Sequence, residues 1–371
     1  MSRTVLITGG AGFIGSHLAD ELIAHGYSVR ILDSLLDQVH GAAQRPSYLD
    51  PNVELIRGDI CDPKAVRYVC HGVDIVYHLA ARVGVGQSMY DIVNYTATNN
   101  LGTAVLLEEL MKRPVGRLVV ASSMSIYGEG LYRRPDGSLR AGRERPLDQL
   151  KRGDWEVYDD DGQVLTPVPT PETKTPVLAS VYALSKYDQE RLCLMVGRAY
   201  QIPTVALRFF NVYGPRQALS NPYTGVLAIF ASRLLNDNPP IIYEDGQQQR
   251  DFVNIADLVR ACRLAAEAPQ AAGQVFNIGS GEAHTVAEIA GRMARVLDKA
   301  HIQPQVVGKY RVGDIRHCFA DISRARQVLG YVPQVSLQTG MAELAAWLRG
   351  QVAVDQVAQA NLELEKRGLT V

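Results

Sequence analysis

A tyrosine and a lysine four positions apart are the strongest candidates for acid–base chemistry in this chain. Tyr182 and Lys186 form a Tyr-x-x-x-Lys run, and on a helix residues i and i+4 lie on the same face. A free phenol has a pKa of about 10 and is a poor base at neutral pH, but a neighbouring ammonium favours the phenolate. The pair therefore predicts a tyrosine that moves a proton near neutral pH, with Lys186 lowering its pKa.

A serine-rich run follows a short apolar stretch that has the pattern of a buried strand. The run spans residues 121–128 (ASSMSIYG) and comes directly after the apolar residues 118–120. In a parallel α/β sheet, ligands bind at the carboxyl ends of the strands, so these hydroxyls are expected at a binding cleft.

Three glycines near the start of the chain fit the binding of a dinucleotide. Gly9, Gly12 and Gly15 lie between an apolar run and an amphipathic segment. Gly9 suits a tight turn, Gly12 lets a pyrophosphate approach the backbone, and Gly15 allows close packing of helix on strand. The phosphates would then meet the positive end of the helix dipole and its free N–H groups.

Asp33 ends the second apolar run and bears on which dinucleotide binds. A carboxylate at that point accepts a hydrogen bond from the adenosine 2′-hydroxyl and repels a 2′-phosphate. Residues 34–36 (SLL) offer no arginine to hold such a phosphate. The sequence therefore predicts NAD as the cofactor rather than NADP.

The elements that must position these residues are expected to form a doubly wound parallel α/β sheet, a Rossmann fold. Continuous apolar runs alternate with helical patterns in the first half of the chain, as in a sheet covered on both faces. Residues 1–211 are predicted to form the NAD-binding domain, with sheet elements returning at about 252–280. Residues 212–251 and 281–371 are predicted to form a smaller α/β C-terminal substrate lobe.

Bulk properties exclude several classes of protein. The formal net charge of −1 favours neither nucleic acid nor a membrane surface as a partner. Five cysteines without Cys-x-x-Cys spacing suit reduced thiols, and no metal site is predicted. The sequence has no apolar stretch of 18 residues and no signal-peptide pattern at its start. A soluble cytoplasmic enzyme is expected.

Taken in order, the motifs resemble those of extended short-chain dehydrogenases/reductases, the NAD-dependent sugar epimerase/dehydratase family. The similar segments are residues 9–15 (GGAGFIG), 58–60 (GDI) and 78–81 (HLAA). The resemblance implies that Ser123, Tyr182 and Lys186 are catalytic. It also implies a cofactor site, which comprises Gly9, Gly12, Phe13, Ile14, Gly15, Asp33, Asp59, Ile60, Leu79, Ala80, Ala81, Asn99, Ser122, Tyr182, Lys186 and Phe209.

The same resemblance implies that the substrate is a nucleotide-diphosphosugar. Ser123 would contact the sugar, Asn211 would bind the diphosphate, and Tyr243 would lie beside the nucleobase. Arg250 and Arg316 would converge on the diphosphate, which suits the planar fork of donors on each guanidinium.

Residues 123–125 (SMS) also bear on the reaction. Family members that dehydrate sugars carry Asp and Glu here, and decarboxylases carry Glu, whereas a thioether and hydroxyls cannot do carboxylate chemistry. The sequence therefore favours a 4-epimerase that oxidises sugar C4 and reduces it from the other face. Residues 34–41 and 83–89 are similar to a subgroup that includes dTDP-L-rhamnose 4-epimerases. The alternatives are a UDP-hexose 4-epimerase, a 4-ketoreductase, and a non-catalytic NAD(H)-binding sensor or scaffold.

Three further expectations concern the surface. Residues 131–175 are polar and form an insertion that is either a plain surface loop or a lid over the substrate. Residues 351–367 are expected to form an amphipathic helix that only packs. A homodimer is expected to pair the segments around 103–112 and 185–199 across a two-fold axis. Its apolar contacts would come from Leu106, Leu107, Leu192, Met195 and Val196.

Overall fold

The computed structural model describes residues 3–41 and 45–370, so the ends of the predicted domain ranges, Met1, Ser2 and Val371, lie outside the described residues. The strands are β1 Thr4–Thr8, β2 Ser28–Asp33, β3 Glu54–Arg57, β4 Ile75–His78, β5 Arg117–Ser123, β6 Leu131–Arg133, β7 Leu139–Ala141, β8 Thr166–Val168, β9 Thr204–Phe209, β10 Asn211–Tyr213, β11 Ile241–Ile242, β12 Gln249–Arg250, β13 Phe252–Asn254, β14 Val275–Ile278, β15 His284–Thr285, β16 Gln305–Val306 and β17 His317–Cys318.

The helices are α1 Phe13–Ala24, α2 Asp37–His40, α3 Pro63–Val69, α4 Val85–Ser88, α5 Ile92–Thr96, α6 Gly102–Lys112, α7 Leu147–Lys151, α8 Val181–Ala199, α9 Val226–Leu235, α10 Ile255–Glu267, α11 Val286–Val296, α12 Ser323–Leu329, α13 Leu337–Leu348 and α14 Val357–Lys366. A π-helical turn, Ala97–Leu101, joins α5 to α6. Within the described ranges, no helix is both long enough and apolar enough to cross a membrane.

Seven parallel strands form the central sheet, in the order β3-β2-β1-β4-β5-β9-β14. The order reverses between β1 and β4, and this switch point is where doubly wound sheets form a ligand crevice at the carboxyl ends of their strands. The predicted Rossmann fold is confirmed.

Helices cover both faces of this sheet. Leu18 of α1 and Leu258 of α10 are fully buried on one face, and Leu106 of α6 and Cys193 of α8 are fully buried on the other. Leu107 is also buried, at 3% exposure. The prediction that Leu106 and Leu107 supply dimer contacts is therefore wrong, because the apolar face of α6 packs on the sheet.

The smaller lobe has its own apolar core between α9, α11 and α13, with Phe230, Met293 and Leu344 at its centre. The chain returns to the first domain through α10 and β14, the latter pairing with β9. It returns a second time in α12, since Ala325 and Tyr331 are buried in the core of the first domain. Residues 281–371 are predicted to belong to the smaller lobe throughout, but α12 and Tyr331 pack in the first domain. A short apolar segment gives no signal of which core it joins.

The insertion at 131–175 has structure of its own. Strands β6, β7 and β8 form an antiparallel sheet, and Tyr132, Val157 and Leu165 form a small buried cluster. Arg145 anchors the insertion on the smaller lobe, because its Nη2 donates to Glu244 Oε1 over 2.8 Å and both side chains are buried. The insertion also contacts the first domain, where Asn277 N donates to Glu172 Oε1 over 2.8 Å, so it is a folded segment attached to both lobes and not a plain loop.

Candidate active site

A cavity of about 810 Å³ lies at the carboxyl ends of the central strands and extends between the two lobes. It brings together nearly all of the residues predicted from the sequence, which are Gly9, Gly12, Phe13, Ile14, Gly15, Asp33, Asp59, Ile60, Leu79, Ala80, Ala81, Ser122, Ser123, Tyr182, Lys186, Phe209, Asn211, Tyr243 and Arg250. Asn99 and Arg316 are not among the lining residues, and neither is any residue of the insertion at 131–175. A lid role for the insertion therefore finds no support.

The glycine turn between β1 and α1 packs against neighbouring backbone more closely than side chains would allow. Gly9 has φ +69°, and a Cβ there would lie 2.9 Å from the backbone of Ala80. A Cβ on Gly15 would lie 2.5 Å from Gly10 Cα, so only glycine lets α1 start this close to the turn. No side chain caps Gly12 at the helix start, which leaves the first amides of α1 free to bind an anion.

The Asp33 carboxylate is fixed at the end of β2 by two backbone amides. Its Oδ2 accepts from Ala11 N and its Oδ1 from Leu35 N, both over 2.9 Å. His40 Nε2 lies 3.8 Å from Oδ1 and also lines the cavity. The carboxylate is thereby oriented beside the glycine turn, where the ribose of a dinucleotide bound at that turn would lie.

The acid–base residues meet where β5 ends and α8 begins. Ser180 caps α8 by accepting from Ala183 N over 3.1 Å, and this places Tyr182 in the first turn. Ser125 Oγ donates to Ser123 Oγ over 2.9 Å, which leaves the Ser123 proton for Tyr182. Burial raises the pKa of Tyr182 above its usual value, and the hydrogen bond with Ser123 lowers it.

Lys186 lies one turn further along α8 and is buried. Its Nζ donates to Gln189 Oε1 over 2.6 Å, and Gln189 in turn donates to Thr103 Oγ1 over 2.9 Å. Burial lowers the pKa of Lys186 to about 8. In this structure the ammonium is therefore oriented by Gln189, and the pKa of Tyr182 is governed by burial and Ser123. The predicted lowering by Lys186 stays a prediction.

Two residues predicted at the cofactor site have structural contacts instead. Ser122 lines the cavity, but its Oγ donates to Glu190 Oε2 over 2.7 Å. Asn99 is fully buried away from the cavity, in the π-helical turn. Its amide accepts from Arg82 N over 2.8 Å and donates to Ser185 Oγ over 2.9 Å. Asn99 therefore positions the loop after β4 against α8, because its amide bonds to both.

The arginine set at the substrate end differs from the predicted one. Arg316 is only 1% exposed, and its guanidinium contacts Glu244 and Asp245. Because carboxylates pair with its guanidinium and it does not line the cavity, this structure lends no support to Arg316 as a diphosphate ligand, and that role stays a prediction. Arg311 lines the cavity instead, where its guanidinium lies 4.6 Å above the Tyr243 ring.

Asn211 and Arg250 complete this end of the cavity. Asn211 Oδ1 is buried without a hydrogen-bond partner among the described residues, which is costly unless a ligand satisfies it. Arg250 donates through Nη1 to the carbonyl of Arg316 over 2.9 Å, so its guanidinium is held in place. Together with Arg311 it gives this end of the cavity two cations, which suits an anionic ligand.

Sequence reasoning missed Arg311, and it predicted the C-terminal helix α14 without its place in the cavity wall. Arg311 stands two residues before Gly313 and pairs with Asp314 over 2.9 Å. The Arg-x-Gly-Asp run at residues 311–314 could have indicated Arg311, but the prediction names Arg316 from the same segment. The signal in α14 was a spacing of i, i+3 and i+7 at Val357, Ala360 and Leu364, which all line the cavity.

These features define a class of protein. An uncapped glycine turn, a fixed acidic group beside it and a serine–tyrosine–lysine set on one cleft are the parts of a dinucleotide-dependent oxidoreductase site. The sequence profile described as the NAD dependent epimerase/dehydratase family matches residues 5–147 and 155–279. The chain belongs to this family, which confirms the resemblance found in the sequence, and its cofactor is NAD.

Individual relatives cover nearly the whole chain. The dTDP-L-rhamnose 4-epimerase of Burkholderia thailandensis is 36% identical over 354 residues, covering 93% of this chain and 95% of that protein. A UDP-N-acetyl-alpha-D-glucosaminuronate decarboxylase of Bacillus cytotoxicus is 30% identical, covering 94% and 98%. The crystal structure of the Thermus thermophilus UDP-glucose 4-epimerase complexed with NAD is 31% identical with a TM-score of 0.74, covering 94% and 100%.

Replacing Arg311 should affect ligand binding and not stability, whereas replacing Arg316 should affect stability and not ligand binding. Arg311→Ala should weaken dTDP binding by about 10- to 100-fold, because a charge-assisted contact is lost. Its unfolding temperature should stay near that of the wild type. Arg316→Ala should lower the free energy of unfolding by about 1–3 kcal/mol, because Asp245 loses its guanidinium partner and the buried Glu244 keeps only Arg145. Calorimetry and thermal unfolding of both variants measure this. A stably folded Arg316→Ala that had lost dTDP binding would restore the sequence-based assignment.

Proposed function

We propose that the protein is an NAD-dependent 4-epimerase of nucleotide-diphosphosugars, with dTDP-L-rhamnose as its substrate. The observation that carries the proposal is the makeup of the reacting end of the cavity. Ser123, Tyr182 and Lys186 line it together, and residues 123–125 supply no carboxylate for elimination or decarboxylation. Proton transfer paired with oxidation and reduction at one carbon is the chemistry that this set supports.

The proton path is short and buried. Tyr182 takes the proton from the C4 hydroxyl as the sugar is oxidised to a 4-keto intermediate, and returns it when C4 is reduced. Ser123 donates to the reacting oxygen and shares that proton with Tyr182. Lys186 adds a positive charge beside the phenol, which favours the phenolate. NAD, when bound, accepts the hydride from C4 and supplies it again to the other face.

The substrate assignment has two supports. The dTDP-L-rhamnose 4-epimerase of Burkholderia thailandensis is similar over almost the full chain. The loop beside the acid–base pair also lines the cavity with apolar side chains, namely Val83, Val85 and Met89. A UDP-hexose 4-epimerase uses the same chemistry and is the alternative, favoured by the similarity to the Thermus thermophilus enzyme.

A contact across the cleft favours an epimerase over a ketoreductase. Gln38, in the short helix after Asp33, donates from Nε2 to Gln87 over 3.2 Å and to Asn221 over 3.1 Å. This strap ties the cofactor half to the substrate lobe beside Leu36 and His40, which line the cavity. A retained cofactor suits a cycle in which C4 is oxidised and then reduced, whereas a ketoreductase must exchange its cofactor each turnover.

We also propose that the protein forms a homodimer, through contacts that differ in part from those predicted from the sequence. Leu101, Leu184 and Met195 are 54%, 46% and 53% exposed on the π-helical turn and α8. The π-helical turn and α8 lie side by side, since Asn100 donates to Asp188 over 2.6 Å, and we propose that these exposed apolar side chains contribute to the dimer contact. We also propose a cytoplasmic enzyme, which the five free cysteines support.

Removal of the Tyr182 hydroxyl tests the reaction. Tyr182→Phe keeps the ring, so thermal stability should change little, while turnover should fall by about 100-fold or more because the acid–base group is gone. The assay incubates enzyme with dTDP-L-rhamnose and a panel of dTDP- and UDP-sugars, without added cofactor, and follows the products by NMR. Epimer formation that survives in Tyr182→Phe would refute this role.

The pH profile tests the role of Lys186. Replacement by methionine removes a positive charge, so the pKa of Tyr182 should rise and the activity limb that reports its ionisation should move to higher pH. In the wild type, activity should decline as pH rises past about 8, where the Lys186 ammonium with its lowered pKa loses its proton. A Lys186→Met profile that superimposes on the wild type would show that the charge has no such effect.

The dimer contact is testable with a charged substitution. Met195→Glu places a carboxylate on the proposed apolar surface and should shift the protein to monomers in sedimentation experiments. Val352→Glu is the matched control, because Val352 is 92% exposed outside this surface. Wild-type protein that sediments as a monomer at every concentration would contradict the dimer itself.

A further inference from the structure

The C-terminal helix α14 presents one face to the active-site cavity. Val357, Ala360, Asn361 and Leu364 stand at positions i, i+3, i+4 and i+7, and all four line the cavity, as does Leu369 beyond the helix. This spacing is that of a helix packed on an apolar core. Here the face borders a ligand space, so the expectation that the tail only packs is incomplete.

Contacts with both halves of the molecule hold the helix in place. The Arg367 guanidinium lies 4.3 Å above the Tyr90 ring, which belongs to the loop between α4 and α5 of the first domain. On the other side, Lys309 Nζ lies 2.5 Å from Glu365 Oε1, and Val312 N donates to Leu369 O over 3.0 Å. The segment therefore bridges the two lobes along the cavity.

One end of α14 lies beside the acid–base pair. A Cβ on Gly86 would be 3.3 Å from the Leu364 side chain, so Leu364 packs directly on this loop. Two residues later, Ser88 Oγ accepts from Tyr182 N over 3.0 Å. Just beyond the same end of the helix, Leu369 O accepts a hydrogen bond from Val312 N, next to Arg311. The C-terminal end of α14 therefore lies near both the loop that contacts Tyr182 and the cationic residues.

Asn361 is the polar member of this face. Its side chain is half-buried and lines the cavity, and it makes no hydrogen bond within residues 3–41 and 45–370. A carboxamide offers two donors and an acceptor. Its neighbours on the face, Ala360 and Leu364, are buried and apolar. The face therefore combines one hydrogen-bonding group with an apolar surface.

We infer that α14 is the specificity wall for the hexose: Asn361 hydrogen-bonds a sugar hydroxyl, and Ala360 and Leu364 pack against the C6 methyl of a 6-deoxyhexose. The inference rests on the proposed function. Burial of a methyl group on this surface is energetically favourable. Burial of a C6 hydroxyl there would be unfavourable, because the hydroxyl would give up its hydrogen bonds to water without forming new ones. The wall would therefore prefer dTDP-L-rhamnose to its C6-hydroxylated counterpart.

The test compares two substrates that differ by that hydroxyl, dTDP-L-rhamnose and dTDP-L-mannose. Wild-type kcat/KM should favour dTDP-L-rhamnose by about 10- to 100-fold, the range for a one-group difference in an apolar pocket. Leu364→Ser should lower that ratio. Asn361→Ala should raise KM for both sugars by about 3- to 10-fold with little change in kcat, since a ground-state hydrogen bond is lost. The affinity for dTDP alone should not change.

Leu362→Ala is the matched control, because Leu362 is on the same helix but 48% exposed and off the cavity. Asn361→Ala and Leu364→Ser variants whose kinetics equal those of this control would overturn the inference while leaving the proposed function intact. The opposite outcome is a wild type that forms no epimer but binds dTDP-L-rhamnose more tightly than dTDP, with Asn361→Ala abolishing that difference in affinity. It would overturn the proposed function while leaving the role of α14 in sugar binding intact. If Leu364→Ser does not fold, Asn361→Ala still decides the outcome, because its side chain is half-buried and unbonded.

Discussion

The buried ion pair between Arg208 and Glu190 fixes the catalytic helix against the central sheet. Arg208, on β9, donates from Nη2 and Nε to the two oxygens of Glu190 on α8 over 2.7 and 2.9 Å. Ser122, at the end of β5, donates to the same carboxylate. Two hydrogen bonds in a planar fork offset the desolvation of both charges and restrict their geometry. The distance between Ser123 on β5 and Tyr182 on α8 therefore depends on this contact.

Around that anchor, the cavity separates two tasks. Proton transfer is placed at the Tyr182 end, where burial raises the pKa of the tyrosine and Ser123 lowers it. Anion binding is placed at the Arg250 and Arg311 end. A relative that is named a decarboxylase shares 30% identity with this chain. The reaction must therefore be set by the few side chains near the sugar, and not by the fold.

The sequence predicted best what short-range patterns determine. The glycine turn, Asp33 and the Tyr182–Lys186 spacing each depend on residues close together in the chain and on the edge of one sheet. It failed where the deciding partner is distant. Arg311 and Arg316 are five residues apart and look equivalent, and they are distinguished by the carboxylates that pair with Arg316, such as Glu244, which is 72 positions away in the sequence. Likewise, an apolar helix face gives no sign of whether it borders a core, as in Leu106, or a cavity, as in Leu364.

The central claim is that C4 is oxidised and reduced within one enzyme–cofactor complex. The most direct measurement uses dTDP-L-rhamnose deuterated at C4, incubated with enzyme in ordinary water without added cofactor. NMR should then find the deuterium fully retained at C4 of the epimer, because the strap at Gln38 keeps the cofactor in place between the two steps. Loss of the label to solvent, or conversion only with stoichiometric external NADH, would contradict the account.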